Sequence, residues 1–426
     1  VSESARRSGE VVAFYGDDFT GSVDALLQFA RRGWTGRLFT AIPDAAALAE
    51  AAAEVDVVGV AGISRSLDPE AMEAELRPVF EAFRGLSPRI VQYKACSTAD
   101  SAPTVGSLGR VIELGRDVFG DRPVPMLFAQ PDFGRFTLFG QHFAAERGTV
   151  YRLDRQPTMS THPSTPMTEA DLAVHVGLQT SLPVGSVPLV AYDDGLPRRL
   201  RDAPEAALVL DALTDEHLET VGAALGALPA PIFAIGSGGL SHGIAAASRG
   251  TMAALPTATP ASGPVLVVSG SRSAQTRRQA DAAAAAGWLV RPIPLSVDAV
   301  DSTIDEVLGA LRSGRGVVLT SDDADTTSAG PRPVLEAIAE AAASIVLSAV
   351  RDGATRRVIV CGGDTSSRVT RLLSVESLSI AANPWGNVVL LRAHASDPAV
   401  DGLELLLKGG QVGADTLFTD VAALGT

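Results

Sequence analysis

The stretch VVAFYGDDFTGSVDALLQFARRG, residues 11–33, decides the fold. An unbroken apolar and aromatic run ends at Gly16, as a strand buried on both faces does. Asp17 and Asp18 follow, and then apolar residues recur at helical spacing from about Gly21 to Gly33. A strand that feeds straight into a helix, with polar residues only at the junction, opens a parallel α/β unit. The pattern repeats with VDVVGV and a helix after Asp68, then RIVQY, VPMLFA, ALVLDA with a helix after Thr214, and PIFAIG. It restarts at VLVVSGS and continues through RRQADAAAAAG, GWLVRPI, GVVLTS, an alanine-rich helix from about Pro333 to Val350, and RVIVCGGD. Between the two series lies TMAALPTATPASGP, rich in helix breakers and poor in anything to bury. The expected fold class is therefore α/β: two α/β domains with mostly parallel sheets and a substrate cleft between them. The expected boundaries are 1–250 for an N-terminal domain, 251–264 for a linker, and 265–426 for a C-terminal domain. The segment from Phe133 to Pro166, punctuated by prolines, reads as a long functional loop or hairpin.

The 426 residues, 46% of them hydrophobic, suffice for two cores. A net charge of −14 argues against nucleic acid or an anionic membrane as partner, so an anionic substrate must be held by local groups. Cys96 and Cys361 are the only cysteines, too few for a disulfide framework. Neither they nor the six histidines show metal-ligand spacing, and His142, His162 and His175 read as surface or core residues. The segment VSESARRSGE has no apolar signal core and no run reaches membrane-spanning length, so a cytoplasmic location is expected. The sequence leaves a homo-oligomer open.

Carboxylates at the end of a strand lie where open α/β sheets bind ligands. Asp18 or Thr20 caps the helix, which leaves Asp17 to bond a substrate hydroxyl, accept a proton or approach Mg²⁺; an Asx-turn with an N-cap is the plainer alternative. Asp24, one turn on, reads as solvated. The run VGVAGISRSL sets Ser64 and Arg65 at a second strand end, and YKACSTADS sets Lys94, Ser97, Thr98 and Ser101 at a third. Carboxylates, arginine and lysine at three strand ends suit a polyhydroxylated acid. Lys94 and Lys408 are the only lysines among 35 basic residues, each after an apolar run, which points to two anion sites. In the second half, VVSGSRSAQT, VIVCGGDTSSRVTRLL and KGGQVG place glycines and hydroxyls between strands and helices, where backbone N–H groups cradle phosphates. IFAIGSGGLSHG imitates a dinucleotide fingerprint but has the wrong glycine spacing and no acid about 20 residues on.

On these residues the chain resembles the four-carbon acid sugar kinase family along essentially its whole length. YGDDFTG is similar to that family's N-terminal ADDLTG motif, GISRSL to its Ser/Thr-Arg element, and IGSGGL to its glycine turn. SGSRS, CGGDTS and KGGQVG resemble its nucleotide-binding motifs. The resemblance implies ATP with Mg²⁺ as cofactors, the nucleotide held by Ser269, Ser271, Gly362, Gly363, Asp364, Thr365, Gly409 and Gly410, with Lys408 near the phosphates. It implies a small-molecule sugar acid as substrate, with Arg65, Lys94, Ser97 and Thr98 as binding residues and Asp17 and Asp18 as catalytic ones. The metal would be held by phosphate oxygens and water. Where the family reads Lys-x-Asp-Ser-Thr-Leu-Arg-Gly-Asn, this chain has KACSTADSA: Cys96 replaces the Asp, and Asp100 and Ser101 replace Arg-Gly. PDFGRFTLFGQHFA and YRLDRQPTMSTHPSTPM resemble a distinct branch, that of 3-oxo-isoapionate kinases. The expected activity is ATP-dependent phosphorylation of a hydroxyl of a four-carbon or branched sugar acid. An NAD-dependent dehydrogenase and a non-catalytic nucleotide and sugar-acid sensor are the alternatives.

Overall fold

The computed structural model describes residues 11–249, 255–257, 263–322, 324–329, 333–386 and 388–425. Two compact units span 1–254 and 255–426. Of the stretch read as a linker, residues 251–254 and 258–262 lie outside the described set.

The first unit carries strands β1 (Val12–Gly16), β2 (Gly36–Phe39), β3 (Val57–Ala61), β4 (Ile90–Lys94), β5 (Val124–Leu127), β6 (Arg135–Leu138), β7 (Gln141–Glu146), β8 (Thr149–Arg152), β9 (Val184–Val187), β10 (Ala207–Leu210) and β11 (Ile232–Gly236). Eight of them form a parallel sheet in the order β2-β3-β1-β4-β11-β5-β10-β9. β1, β3, β4 and β11 are buried at every position, as strands covered on both faces must be. The covering layers include the helices Phe19–Arg31, Pro69–Gly85 and Leu108–Phe119. From β1 the chain crosses to one side of the sheet and from β4 to the other, so the strand order reverses between these two neighbours.

The segment expected as a long loop or hairpin is a three-stranded antiparallel sheet, β6-β7-β8. It docks through its turn. Phe139 (φ 51°) and Gly140 (φ 75°) donate their N–H groups to the buried Asp211 carboxylate at 2.6 and 3.0 Å. Thr137 exchanges two backbone hydrogen bonds with Ala212.

The second unit carries β12 (Leu266–Ser269), β13 (Leu289–Pro292), β14 (Val317–Thr320), β15 (Arg357–Cys361), β16 (Ser377–Trp385), β17 (Val388–His394) and β18 (Glu404–Lys408). The strands β13-β14-β12-β15-β18 are parallel, and β17 and β16 extend the sheet as an antiparallel pair that the alternating pattern did not foresee. The helix Val297–Arg312 was also unforeseen, whereas Ala274–Ala285 and Val334–Arg351 fall where expected. Here the strand order reverses between β12 and β15.

Candidate active site

In an open α/β sheet, ligands bind outside the carboxyl ends of the strands where the order reverses. In the first unit those ends belong to β1 and β4, which deliver Asp17, Asp18 and Lys94; β3 and β11 flank them. The loops are stitched together by their backbones. Asp17 N–H donates to the Lys94 carbonyl, Arg65 N–H to the Asp17 carbonyl, and Ala95 N–H to the Gly236 carbonyl. Asp18 caps the helix Phe19–Arg31, accepting from Gly21 N–H at 2.7 Å.

Asp17 is not free. It is 2% exposed and held by Arg65 through two hydrogen bonds, Nε to Oδ2 at 3.0 Å and Nη2 to Oδ1 at 2.7 Å. The third edge of the same guanidinium meets Asp18, Nη1 to Oδ2 at 2.7 Å. One arginine thus spans both carboxylates, so the expectation of Arg65 as an open substrate anchor changes: its fork is occupied by the protein. Burial pushes the Asp17 carboxyl up, Arg65 pulls it back, Asp18 adds a like charge and Lys94 a small opposing pull. A buried carboxylate held in this way is a stronger base than a solvated one and has a fixed orientation.

Lys94 ends β4 at 3% exposure, its ammonium donating to the Ala95 carbonyl at 2.9 Å. A side chain at Gly21 would put Cβ 2.9 Å from Lys94 Nζ and 2.5 Å from Asp18 Oδ1, so the glycine makes room for both charges. Beyond Lys94 the loop is tied internally. Thr98 Oγ1 donates to Asp100 Oδ1 at 2.5 Å and lies 3.1 Å from Cys96 Sγ, so Thr98 serves the loop first. Burial, seconded by Asp100, pushes the Cys96 thiol up to about 11 and keeps it neutral. Ser97 is half-buried, and its hydroxyl has no partner among the described residues.

Two histidines hold this loop, a role that sequence reading missed. His142, fully buried on β7, donates from Nε2 to the Ser97 carbonyl at 2.8 Å, while its Nδ1 faces Thr137 Oγ1 at 2.9 Å. Burial pulls its pKa down to about 4, against the Ser97 bond, so the ring is neutral. His175 Nε2 lies 2.9 Å from Ser101 Oγ, and burial also lowers its pKa. Asp24, expected to be solvated, instead accepts from Gln28 Nε2 and Gln130 Nε2, at 3.1 Å to each.

In the second unit the reversal point brings the three glycine-containing loops together. Gly270 N–H donates to the Cys361 carbonyl and Gly362 N–H to the Lys408 carbonyl. Ser273 Oγ and Thr276 Oγ1 both donate to the Gly410 carbonyl, at 2.5 and 2.9 Å. Ser269 Oγ accepts from Ser271 N–H at 3.2 Å. Gly362, at φ 109°, caps the helix Gly363–Leu372 in a conformation that favours glycine. The N–H groups of Gly363, Asp364 and Thr365 in its first turn have no acceptor among the described residues, and neither do those of Gly409 and Gly410. Lys408 is 3% exposed and donates to Thr276 Oγ1 at 3.1 Å. Burial lowers its pKa, opposed by the neighbouring Cys361 thiol, itself pushed up to about 11. Free N–H donors, a helix N-terminus and a buried lysine together suit phosphate oxygens. Among the described residues no group of three or more His, Cys, Asp or Glu is arranged to hold a metal ion, and no helix is long and apolar enough to cross a membrane.

Comparison with known proteins bears on both halves. Residues 12–244 match the family of the sugar-binding N-terminal domain, and residues 266–418 match that of the nucleotide-binding C-terminal domain. A 3-oxo-isoapionate kinase of Paraburkholderia graminis is 35% identical, the match covering 98% of this chain and 95% of that protein. A 3-oxo-tetronate kinase of Pseudomonas fluorescens is 30% identical over 95% of this chain and 94% of its own. The fold is shared with a solved Haemophilus influenzae protein of the DUF1537 family, with a TM-score of 0.77 at 21% identity, covering 97% of this chain and 100% of that one. With a sugar-binding domain and a nucleotide-binding domain matched in order, and relatives of this identity matched along nearly their whole length, the chain belongs to the family of sugar-acid kinases.

Proposed function

We propose that the substrate is a branched or oxidised sugar acid of the 3-oxo-isoapionate type, phosphorylated on a hydroxyl at the expense of ATP. The observation that carries the reading is that each unit has its own reversal point, lined by a different set of groups. One presents a buried carboxylate and a lysine, the other a set of unpartnered backbone N–H groups. The relative named 3-oxo-isoapionate kinase, at 35% identity, supports this acid over the linear ones.

The first unit holds the acid, and Asp17 accepts the proton of the attacking hydroxyl. The oxygen then bonds the γ-phosphorus as the bridging bond to ADP breaks. Arg65 keeps Asp17 and Asp18 in register and balances their charge. Lys94 offers its ammonium to the acid, and the Ser97 hydroxyl is free to bond it. In the second unit, the N–H groups of Gly363, Asp364, Thr365, Gly409 and Gly410 receive phosphate oxygens, and Lys408 adds a positive charge beside them. Gly362 and Gly363 let the backbone approach, while Ser269 and Ser271 shape the opposite loop. Mg²⁺, when bound, neutralises phosphate charge and is carried by phosphate oxygens and water, with Asp364 the exposed carboxylate at hand.

Coupled ADP release with 3-oxo-isoapionate, 3-oxo-tetronate, D-threonate and D-erythronate tests the reading, with NAD reduction measured in parallel. ADP release confined to the linear acids would sink the substrate assignment. NAD reduction without ADP release would point to a dehydrogenase, and binding without either to a sensor.

A further inference from the structure

The three-stranded sheet carries an arginine to which the mechanism above gives no part. Arg135 opens β6, and its Nη1 donates to three carbonyls, those of Phe133 at 2.8 Å, Gly134 at 3.4 Å and Ala145 at 3.1 Å. These bonds fix the plane of the guanidinium. Its Nε is enclosed without an acceptor. The remaining nitrogen, Nη2, is neither enclosed nor partnered among the described residues, and no described carboxylate forms an ion pair with the group. Arg135 therefore holds a fixed cation with one open donor edge.

Strand geometry places the residue. Arg135 stands opposite Ala144, and Thr137 opposite His142. Residues two apart share a face, so Arg135 lies on the face of Thr137 and His142, from which the His142 ring, backed by Thr137, reaches the Ser97 carbonyl. Its guanidinium is within electrostatic reach of Cys96 and Asp100 in the loop after Lys94, and of His142. Glu146, the other acid in reach, has its Oε2 occupied by Gln156 and Thr158. Arg65, by contrast, already turns all three of its nitrogens toward Asp17 and Asp18.

We propose that Arg135 is a substrate-binding residue, its Nη2 edge receiving the carboxylate of the sugar acid beside the Lys94 to Ser101 loop. The assignment rests on the kinase reading. It gives the three-stranded sheet a direct part in binding: one face both braces the loop through His142 and supplies the cation.

Two experiments test it. The unmodified enzyme is treated with phenylglyoxal, which modifies accessible guanidinium groups, and Arg135 is followed by peptide mass mapping. The panel acid turned over best should protect Arg135, while ATP alone should not. In the second, Arg135→Gln should raise KM for that acid roughly 10- to 150-fold, the worth of a charge-assisted hydrogen bond, with KM for ATP within about twofold. Arg135→Lys should recover part of the loss. The variant should also lose the preference of the unmodified enzyme for the acid over its neutral carboxamide. Because Nη1 also ties the turn at 133–135, a variant with a lowered melting temperature leaves the decision to the labelling of the unmodified protein. Equal labelling with and without the acid overturns the assignment, as does protection by ATP alone or an unchanged KM in a folded Arg135→Gln. If no panel acid gives ADP release, the kinase reading itself falls and takes this assignment with it. Turnover with Arg135 unprotected removes only Arg135.

Discussion

Gly363→Val separates nucleotide binding from folding. Gly363 is the first residue of its helix, its φ is not in the left-handed region, and a Cβ placed on it meets nothing within 4 Å. The neighbouring glycines differ. A Cβ at Gly270 would stand 2.1 Å from Thr365 Oγ1, one at Gly410 would stand 2.5 Å from Ser271 Oγ, and Gly362 has φ 109°. Valine at 363 should therefore fold with a stability change within about 0.5 kcal/mol, since Gly and Val differ little in helix propensity. The same side chain would stand over the N–H groups of Gly363, Asp364 and Thr365. A hydrogen bond to a charged group contributes about 1.5–3 kcal/mol, so losing two costs roughly 3–6 kcal/mol, or about 10² to 10⁴ in Kd. Calorimetric titration with ATP reads this loss, and titration with the sugar acid should be unchanged. An ATP Kd within threefold of the parent, in a variant with an unchanged melting temperature, would refute the phosphate role of this helix terminus.

Asp17→Asn should lower turnover by roughly 10² to 10⁴ while leaving ATP affinity unchanged, and steady-state kinetics that retain most of kcat would reduce Asp17 to a structural partner of Arg65. Cys96→Asp adds a carboxylate beside Asp100 and Asp17, so in a competition assay preference should move from 3-oxo-isoapionate toward D-threonate; an unmoved ratio would separate Cys96 from specificity. His142 titrates near pH 6.5 when unfolded and near 4 when folded, so the stability gained by keeping it neutral is complete above pH 6.5 and is lost as pH falls toward 4. The loss amounts to roughly 3 kcal/mol, and urea unfolding at pH 7 and 4.5 should show a smaller difference for His142→Gln than for the parent. An equal difference would place the acid sensitivity elsewhere.

The parallel core was legible because its strands are buried on both faces and so read as continuous apolar runs: Val12 to Gly16 and Val358 to Cys361 need no partner to be recognised. The β16 and β17 pair was not, since Ser377–Trp385 mixes Ser, Asn and Pro with apolar residues and its two register shifts break the alternation. Site residues at strand ends were legible for a topological reason: the residue after a parallel strand is at the ligand edge wherever the strand lies in the sheet. What could not be read was who partners whom. Nothing in the local sequence says that Arg65 will reach across to Asp17, 48 residues earlier, and take up the charge expected for the substrate. The roles of His142 and Thr276 depend likewise on contacts 45 and 132 residues away.

The two lysines end β4 and β18 with their stems enclosed in the sheet layer and only their tips at its edge. In a chain whose other basic residues, histidine aside, are arginines, such a position sets a compact point charge at a strand end. A Cβ at Gly21 would lie 2.9 Å from Lys94 Nζ, and Lys408 Nζ bonds Thr276 Oγ1 at 3.1 Å, so each ammonium has a close neighbour. In this chain the two rare lysines thus mark the carboxyl edge of the parallel strands in each unit.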